Sequence, residues 1–188
     1  SAADMDGDGY MDVLSGHNNI AWYEYDGLES FNTHTVATSG VSSVCAVDVD
    51  GDGDIDVVGS SAGSVGWYEN DGSENFTINI VSTSGVSSVY AVDLDGDGDM
   101  DVLGSSAGSV SWYKNGGSEN FTTHIITTAA DDAQSVYTAD VDGDGDLDVL
   151  SAALGDSKIA WYEINYSPVA NDTGITLSED RDYTGMLP

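Results

Sequence analysis

Four short segments of the sequence place acidic residues at a spacing that suits a metal ion. Each is nine residues long, with Asp at positions 1, 3, 5 and 9 and Gly at positions 4 and 6. These segments, called loops 1 to 4, span residues 4–12, 48–56, 93–101 and 140–148 and hold 19 of the 34 acidic residues. Alternating carboxylates on a tightly turning chain converge on one point, and glycine permits the positive φ that such a turn requires.

The clustering of carboxylates in these loops predicts a bound cation. Four carboxylates about 6 Å apart in water repel one another by about 0.7 kcal/mol per pair, or roughly 4 kcal/mol per loop. A hard divalent cation removes this repulsion and prefers oxygen ligands. Ca²⁺ fits better than Mg²⁺, because Mg²⁺ keeps several waters in its coordination shell. The alternative interpretation is an acidic turn that is only solvated.

Position 7 of the loops separates a side-chain ligand from a backbone ligand. It is Asp54, Asp99 and Asp146 in loops 2 to 4 but Tyr10 in loop 1. A ligand supplied by the main-chain carbonyl is indifferent to this change, as it is in helix-flanked calcium loops. Positions 2 and 8 are apolar in all four loops, so they are predicted to anchor each loop to the core.

The loops belong to a longer repeat that predicts their structural setting. Their first residues are 44, 45 and 47 residues apart. Trp-Tyr pairs recur with nearly the same spacing, at 22–23, 67–68, 112–113 and 161–162. A Phe follows nine residues after each of the first three Trp residues, but not after the fourth. In the third unit, period-two alternation and Gly-containing turns predict strands over 87–94, 101–105, 109–114 and 121–127.

Four strands in each unit of this length indicate the four-stranded antiparallel blades of an all-β propeller. In the third strand of the third unit, Val110 and Trp112 alternate with Tyr113, so both faces of the sheet carry large apolar groups. A sheet that is buried on both faces fits a blade stacked between other blades.

The loop pattern, the repeat length and the aromatic markers together resemble the FG-GAP/VCBS repeats, over residues 1 to about 165. That family occurs in integrin α-chain propellers and in large bacterial surface and secreted proteins. The resemblance implies a calcium-bearing propeller, commonly of seven blades, with about one Ca²⁺ per repeat and four in this chain. It implies that the loops stabilise the fold and do no chemistry.

The resemblance also implies the metal ligands, which are the acids at positions 1, 3, 5 and 9 and the main-chain carbonyl at position 7. In loops 1 and 2 these are Asp4, Asp6, Asp8, Tyr10, Asp12, Asp48, Asp50, Asp52, Asp54 and Asp56. In loops 3 and 4 they are Asp93, Asp95, Asp97, Asp99, Asp101, Asp140, Asp142, Asp144, Asp146 and Asp148.

The predicted domain organisation is a propeller over residues 1–166, with repeats at about 1–40, 41–85, 86–130 and 131–166, followed by a linker over 167–188. The linker resembles the start of bacterial cadherin-like or immunoglobulin-type repeats. By alignment, the first repeat lacks most of its inner strand and the fourth lacks its outer strand. We therefore expect further blades upstream, neighbouring domains in a larger chain, and self-association through exposed blades.

Several functional classes are excluded or disfavoured by composition. The 3 Lys and Arg residues and a formal charge of −31 disfavour binding to nucleic acid, and no apolar run is long enough to cross a bilayer. No zinc cluster, phosphate loop or catalytic pair occurs outside the repeat, so the chain is predicted not to be an enzyme.

His34 and His124 are expected on strand faces, and Cys45 is the only cysteine. The sequons at Asn75, Asn120, Asn165 and Asn171 matter only where the source glycosylates secreted proteins.

Three functions remain open at this point. The leading one is a non-catalytic structural or adhesive module of an extracellular or cell-surface protein, stabilised by calcium. The second is a lectin-like propeller with a glycan or protein ligand. The third is an accessory or catalytic propeller of a secreted polysaccharide-degrading enzyme.

Overall fold

The structure, a computed structural model, describes residues 1–61, 63–117, 120–165 and 176–178. This part of the chain contains sixteen β-strands. They form four four-stranded antiparallel sheets, and no helix occurs among these residues. Within each sheet the strands lie side by side in the order of the sequence. This meander is the topology of a propeller blade, so the predicted all-β propeller fold is confirmed.

The sheets are called blades 1 to 4 in chain order. Blade 1 contains β1 (Ala2–Ala3), β2 (Asp12–Gly16), β3 (Ile20–Tyr25) and β4 (Phe31–Ala37). Blade 2 contains β5 (Ser43–Val47), β6 (Asp56–Ser60), β7 (Val65–Asn70) and β8 (Phe76–Ser82). Blade 3 contains β9 (Ser88–Val92), β10 (Asp101–Ser105), β11 (Val110–Asn115) and β12 (Phe121–Thr127). Blade 4 contains β13 (Ala133–Ala139), β14 (Asp148–Ala153), β15 (Lys158–Asn165) and β16 (Thr176–Ser178).

The hydrophobic core lies between the blades. The Trp in the third strand of each of the first three blades packs in one cluster with the Tyr in the third strand of the next blade. The pairs are Trp22 with Tyr68, Trp67 with Tyr113, and Trp112 with Tyr162. Because adjacent residues of a strand point to opposite faces, the Trp-Tyr dipeptide makes both faces of the sheet apolar. The expectation of sheets buried on both faces is confirmed for blades 2 and 3, in which Val57, Val58, Val102 and Leu103 are fully buried.

The outer strand of blade 4 differs from the sequence prediction. β16 pairs with residues 163–165 of β15 and takes the fourth place in the sheet, where no outer strand was expected. The aligned Phe is absent from the fourth repeat, but backbone pairing needs no particular side chain, so a strand from residues 167–188 can serve. The predicted cadherin-like start otherwise lies outside the described residues and stays a prediction.

All four acidic loops lie at equivalent places in the fold. Loops 1 to 4 connect the first strand of each blade to the second, which are β1 to β2, β5 to β6, β9 to β10, and β13 to β14. Because the blades pack in chain order with the same strand direction, the loops share one end of the propeller. A shallow cleft between blades 1 and 2 is lined by Asp6 of loop 1, Asp54 of loop 2 and Glu74 of the β7–β8 turn.

Candidate metal centres in the acidic loops

Each acidic loop brings three carboxylates together. One oxygen from each acid lies within 4.8 Å of an oxygen from the other two, a spacing that a single cation can bridge. The triads are Asp4, Asp6 and Asp8 in loop 1; Asp48, Asp50 and Asp56 in loop 2; Asp93, Asp95 and Asp101 in loop 3; and Asp140, Asp142 and Asp148 in loop 4. Loops 2 to 4 therefore use positions 1, 3 and 9, whereas loop 1 uses positions 1, 3 and 5.

The loop backbone is held by its own carboxylates and by two glycines in the left-handed region. In loop 2, Gly51 has a φ of 77° and Gly53 has a φ of 100°, which are values that residues with a Cβ rarely adopt. The N–H of Gly53 donates to Asp48 Oδ2 at 3.0 Å, and the same bond from position 6 to position 1 recurs in all four loops. The glycines thus turn the chain back so that positions 1 and 3 face the same point.

The acid at position 9 has a structural role that the sequence analysis did not identify. Asp12, Asp56, Asp101 and Asp148 are buried. In each, Oδ2 accepts the N–H of position 2, and Oδ1 accepts an N–H at or near the end of the third strand, at distances from 2.7 to 3.2 Å. Position 9 therefore ties the start of the loop to the third strand of its blade.

Burial makes two of these carboxylates harder to ionise than an exposed aspartate. It raises the pKa of both Asp56 and Asp101 to about 6, against the hydrogen bonds that they accept. Burial is also the largest cause of the raised pKa of Asp6, Asp50 and Asp142 at position 3, and neighbouring carboxylates raise those pKa values further. A divalent cation in the triad would oppose both effects, because it stabilises the ionised form.

The donor chemistry of the triads fits calcium. The side-chain ligand atoms of the triads are all carboxylate oxygens, which hard divalent cations prefer. In loop 1, Asp4 Oδ1 is buried and has no hydrogen-bond partner among the described residues, which is an unfavourable state for a carboxylate oxygen unless a cation faces it. The calcium interpretation of the loops thus has support in the geometry, and the identity and number of the ions stay predictions.

The structure brings together only part of the predicted ligand set. The position 5 acids Asp52, Asp97 and Asp144 lie outside the triads, and each accepts the N–H of position 7 at 2.9 to 3.1 Å. Asp12, the position 9 acid of loop 1, also lies outside its triad. These acids shape the loop backbone, and their predicted part as ligands is untested.

Position 7 points toward the turn between the third and fourth strands. A Cβ placed on Gly72 would lie 2.4 Å from Asp54 Oδ2, and one on Gly117 would lie 2.7 Å from Asp99 Oδ2. In loop 1 the ring of Tyr10 covers the equivalent Gly27 and meets Tyr25 edge to face. These side chains contact the neighbouring turn, which agrees with a ligand role for the position 7 carbonyl alone.

The anchoring predicted for positions 2 and 8 is confirmed for position 2 in three loops. Met5, Val49 and Leu94 are buried and belong to the clusters between their own blade and the next one. Val141 of loop 4 is 44% exposed. At position 8, Met11 is 59% exposed, so anchoring by that position is wrong for loop 1.

Loop 3 has a lysine beside it. Lys114 follows Tyr113 on β11, and its Nζ forms an ion pair with Asp95 and lies 3.2 Å from Asp97 Oδ2. The other three blades have Glu24, Glu69 and Glu163 at this position. The alignment of one lysine with three glutamates is visible in the sequence, but only the structure places that residue beside the loop.

The remaining polar residues that the sequence singled out occupy strand faces. His34 on β4 stacks on Trp22, with ring centroids 4.1 Å apart, and contacts Glu24 at 2.8 Å and Glu74 of the next blade at 3.0 Å. His124 on β12 also packs against a Trp, with its ring tilted by 32° and its centroid 4.9 Å from that of Trp112. Cys45 is a half-buried free thiol on β5, and burial raises its pKa. No helix in the described part of the chain is long and apolar enough to span a membrane.

Two solved structures of similar fold come from unrelated settings. One is an Agrocybe aegerita lectin that recognises non-reducing terminal N-acetylglucosamine; it is 19% identical, with a TM-score of 0.61 over 87% of this chain. The other is the Tc holotoxin pore of Photorhabdus luminescens, 21% identical, with a TM-score of 0.50 over 85% of this chain. The match covers 48% of the lectin chain and 8% of the toxin chain, so this chain spans about half of the lectin and a small part of the toxin. At these identities the likeness shows the fold alone.

The family assignment comes from the repeats themselves. No curated protein matches the chain. The model of the FG-GAP-like repeat matches three overlapping stretches, residues 4–59, 48–104 and 93–151. Each stretch begins at the first acid of a loop and ends just beyond the following loop, so its starting points keep the 44- and 45-residue spacing of the predicted repeat. The chain therefore belongs to the FG-GAP-like repeat family.

Proposed function

We propose that this chain is a non-catalytic propeller module of an extracellular or cell-surface protein, in which calcium bound to the acidic loops stabilises the blades for a structural or adhesive role. The observation that carries the proposal is the recurrence of a carboxylate triad, with oxygens within 4.8 Å of one another, at the same place in every blade. Membership of a repeat family typical of extracellular proteins supports the extracellular setting.

The charge of the loops gives calcium a large effect on stability. Extracellular calcium modules bind their ion with dissociation constants of roughly 10⁻⁴ to 10⁻³ M. At 10⁻⁴ M and 1 mM free calcium, one bound ion stabilises the folded state by about 1.4 kcal/mol. Three or four such ions are therefore worth about 4 to 6 kcal/mol, a large share of the stability of a typical domain.

The non-catalytic part of the proposal is supported by the surroundings of the candidate residues. His34 and His124 each pack on a Trp ring, and Cys45 is a half-buried thiol with a raised pKa, which is unfavourable for a nucleophile. Within the described residues, the acids that cluster closely enough to share a cation are those of the repeated loops. A catalytic constellation would need residues that depart from the repeat.

Thermal unfolding with and without calcium tests the proposal. We expect the melting temperature in 2 mM CaCl₂ to exceed that in EDTA by on the order of 10 °C, since 1 kcal/mol corresponds to about 2 to 4 °C for a chain of this size. MgCl₂ at the same concentration is the control and is expected to give a much smaller shift. Equal melting temperatures in CaCl₂ and EDTA would refute the calcium role.

Carbohydrate binding is a second candidate, favoured by one aromatic pair in which one ring is exposed and the other is partly buried. Tyr90 on β9 and Tyr137 on β13 have ring centroids 4.8 Å apart, and Tyr137 is 56% exposed. Exposed aromatic rings can stack on sugar rings, and the N-acetylglucosamine-recognising lectin shares this fold. A glycan array with the wild type and Tyr137→Ala tests it; binding that survives the substitution, or no binding, would reject this pair as a sugar site.

A further inference from the structure

One blade reverses the sign of the charge beside its acidic loop. The residue that follows the Trp-Tyr pair is Glu24, Glu69 and Glu163 in blades 1, 2 and 4, but Lys114 in blade 3. Glu24 and Glu69 occupy the strand register of Lys114, because they pair with Asn32 and Thr77 on the fourth strand as Lys114 pairs with Thr122. The repeat therefore places the three residues at equivalent points of their blades, next to the loop of each blade.

Lys114 is in direct contact with the loop that it faces. Its Nζ pairs with Asp95 Oδ2 and lies 3.2 Å from Asp97 Oδ2, so it engages the acids at positions 3 and 5. The Asp95 side chain is 6% exposed, and Asp95 belongs to the triad of loop 3. The ammonium is also 5.7 Å from the centre of the Trp112 ring, a favourable cation–π distance.

The backbone of loop 3 responds to this contact. In loops 1, 2 and 4 the position 3 carboxylate accepts the N–H of position 5, at 3.1 to 3.2 Å. In loop 3 the N–H of Asp97 donates to Asp93 Oδ1 at 3.1 Å, and Asp95 Oδ2 is taken by Lys114. A divalent ion in this triad must displace the ammonium from Asp95 and then tolerate a positive charge nearby.

Charge arithmetic gives the size of the effect. The change from glutamate to lysine alters the local charge by two units beside a doubly charged ion. With about 7 Å of water between the side-chain charge and the ion, this difference corresponds to a roughly 50-fold lower affinity of the loop for calcium. Asp95 Oδ1 has no hydrogen-bond partner in the part of the chain that the structure describes, so the ammonium compensates one oxygen of that carboxylate and weakens the site without removing its ligands.

We infer that loop 3 is held by the internal ammonium of Lys114 and binds calcium about 50-fold more weakly than loops 1, 2 and 4, so that the chain carries three calcium ions, not four, at millimolar calcium. This inference rests on the proposed calcium role of the loops. In this role the Lys114 ammonium replaces part of the calcium charge and stabilises loop 3 when calcium is scarce.

Counting bound ions tests the inference directly. Equilibrium dialysis of the whole chain against 1 mM ⁴⁵Ca²⁺ is expected to give about three ions for the wild type and about four for Lys114→Glu, which restores the residue of the other blades. The matched control is Glu69→Lys, which places the lysine in blade 2 and is expected to reduce the count to about two. Lys114→Met separates loss of the ammonium from gain of a carboxylate and is expected to fall between wild type and Lys114→Glu in the affinity of the added site.

The outcomes distinguish the inference from the proposal beneath it. Four ions of similar affinity in the wild type, or a count that Lys114→Glu leaves unchanged, would overturn the role of Lys114 while leaving calcium binding intact. No bound calcium in any variant would refute the calcium role itself. Circular dichroism in 10 mM calcium checks that each variant is folded; should Lys114→Glu not fold, the fall from three to two in Glu69→Lys still decides the question.

Discussion

Replacing Asp56 by Ala should destabilise the chain even when no calcium is present. The side chain is fully buried, and it accepts hydrogen bonds from Val49 N–H at 3.0 Å, from Asn70 N–H at 2.7 Å and from Trp67 Nε1–H at 2.9 Å. The substitution leaves these three donors without an acceptor in the interior. A purely metal-binding residue would lose its importance once calcium is removed.

The magnitude follows from two opposing terms. Each buried donor that loses its partner costs about 1 to 3 kcal/mol, or about 6 kcal/mol for three at the middle of this range. Against this, the ionised carboxylate is itself unfavourable at pH 7.5, since burial raises its pKa from 3.8 to about 6, which corresponds to about 3 kcal/mol. The expected net loss in the free energy of unfolding is therefore about 3 kcal/mol.

Urea denaturation at pH 7.5 in 5 mM EDTA is the assay, and Asp52→Ala is the matched control. Asp52 belongs to the same loop but is exposed and lies outside the triad, so its loss in EDTA should stay within about 0.5 kcal/mol. A loss for Asp56→Ala below about 1 kcal/mol, or equal to that of Asp52→Ala, would show that position 9 acts only through a metal.

Further predictions concern the ligands, pH and the interblade core. Asp50→Ala removes a triad member and should lower the number of bound calcium ions by one. Asp54→Ala should leave that number unchanged, because the main-chain carbonyl at position 7 survives the substitution. Calorimetric titration with calcium measures both, and equal losses would contradict the backbone ligand at position 7. In EDTA, lowering the pH from 7 to 5 should raise the free energy of unfolding by roughly 2 to 3 kcal/mol. The reason is that Asp56 and Asp101 have pKa values of about 6 in the folded state and near 3.8 in the unfolded state, so the folded chain binds protons more strongly. In calcium the same change should lower stability, since protons compete with the ion; urea titrations at both pH values test the two signs. Trp67→Ala should cost about 3 to 5 kcal/mol in either condition, measured by the same titration, and an effect confined to EDTA would refute its role as a core residue.

The repeat and the strands could be read from the sequence because their signals are local. β10 and β12 have the predicted bounds and β11 is displaced by one residue, since period-two alternation and Gly-containing turns depend on near neighbours. The Trp-Tyr dipeptide likewise predicts two buried faces from adjacent residues. These features needed no knowledge of how the blades pack.

The features that escaped prediction depend on contacts between distant segments. Asp56 differs from Asp52 because residue 70, at the end of β7, lies against it, and nothing in the nine-residue motif indicates that neighbour. Lys114 is 19 residues from Asp95, and only the pairing of β10 with β11 brings them together. β16 pairs through its backbone, which leaves no side-chain pattern that an alignment of repeats could detect.

The unlike faces of a blade bear on how such proteins change length. Blades 2 and 3 each present their Trp to the next blade and their Tyr to the preceding one, so a copy inserted between two such blades finds a matching surface on both sides. Duplication or loss of one unit of about 45 residues therefore keeps the Trp-to-Tyr contact at the new interface. The contact chemistry is the same for any number of blades, so selection on ring closure, and not on the interfaces, is what can fix their count.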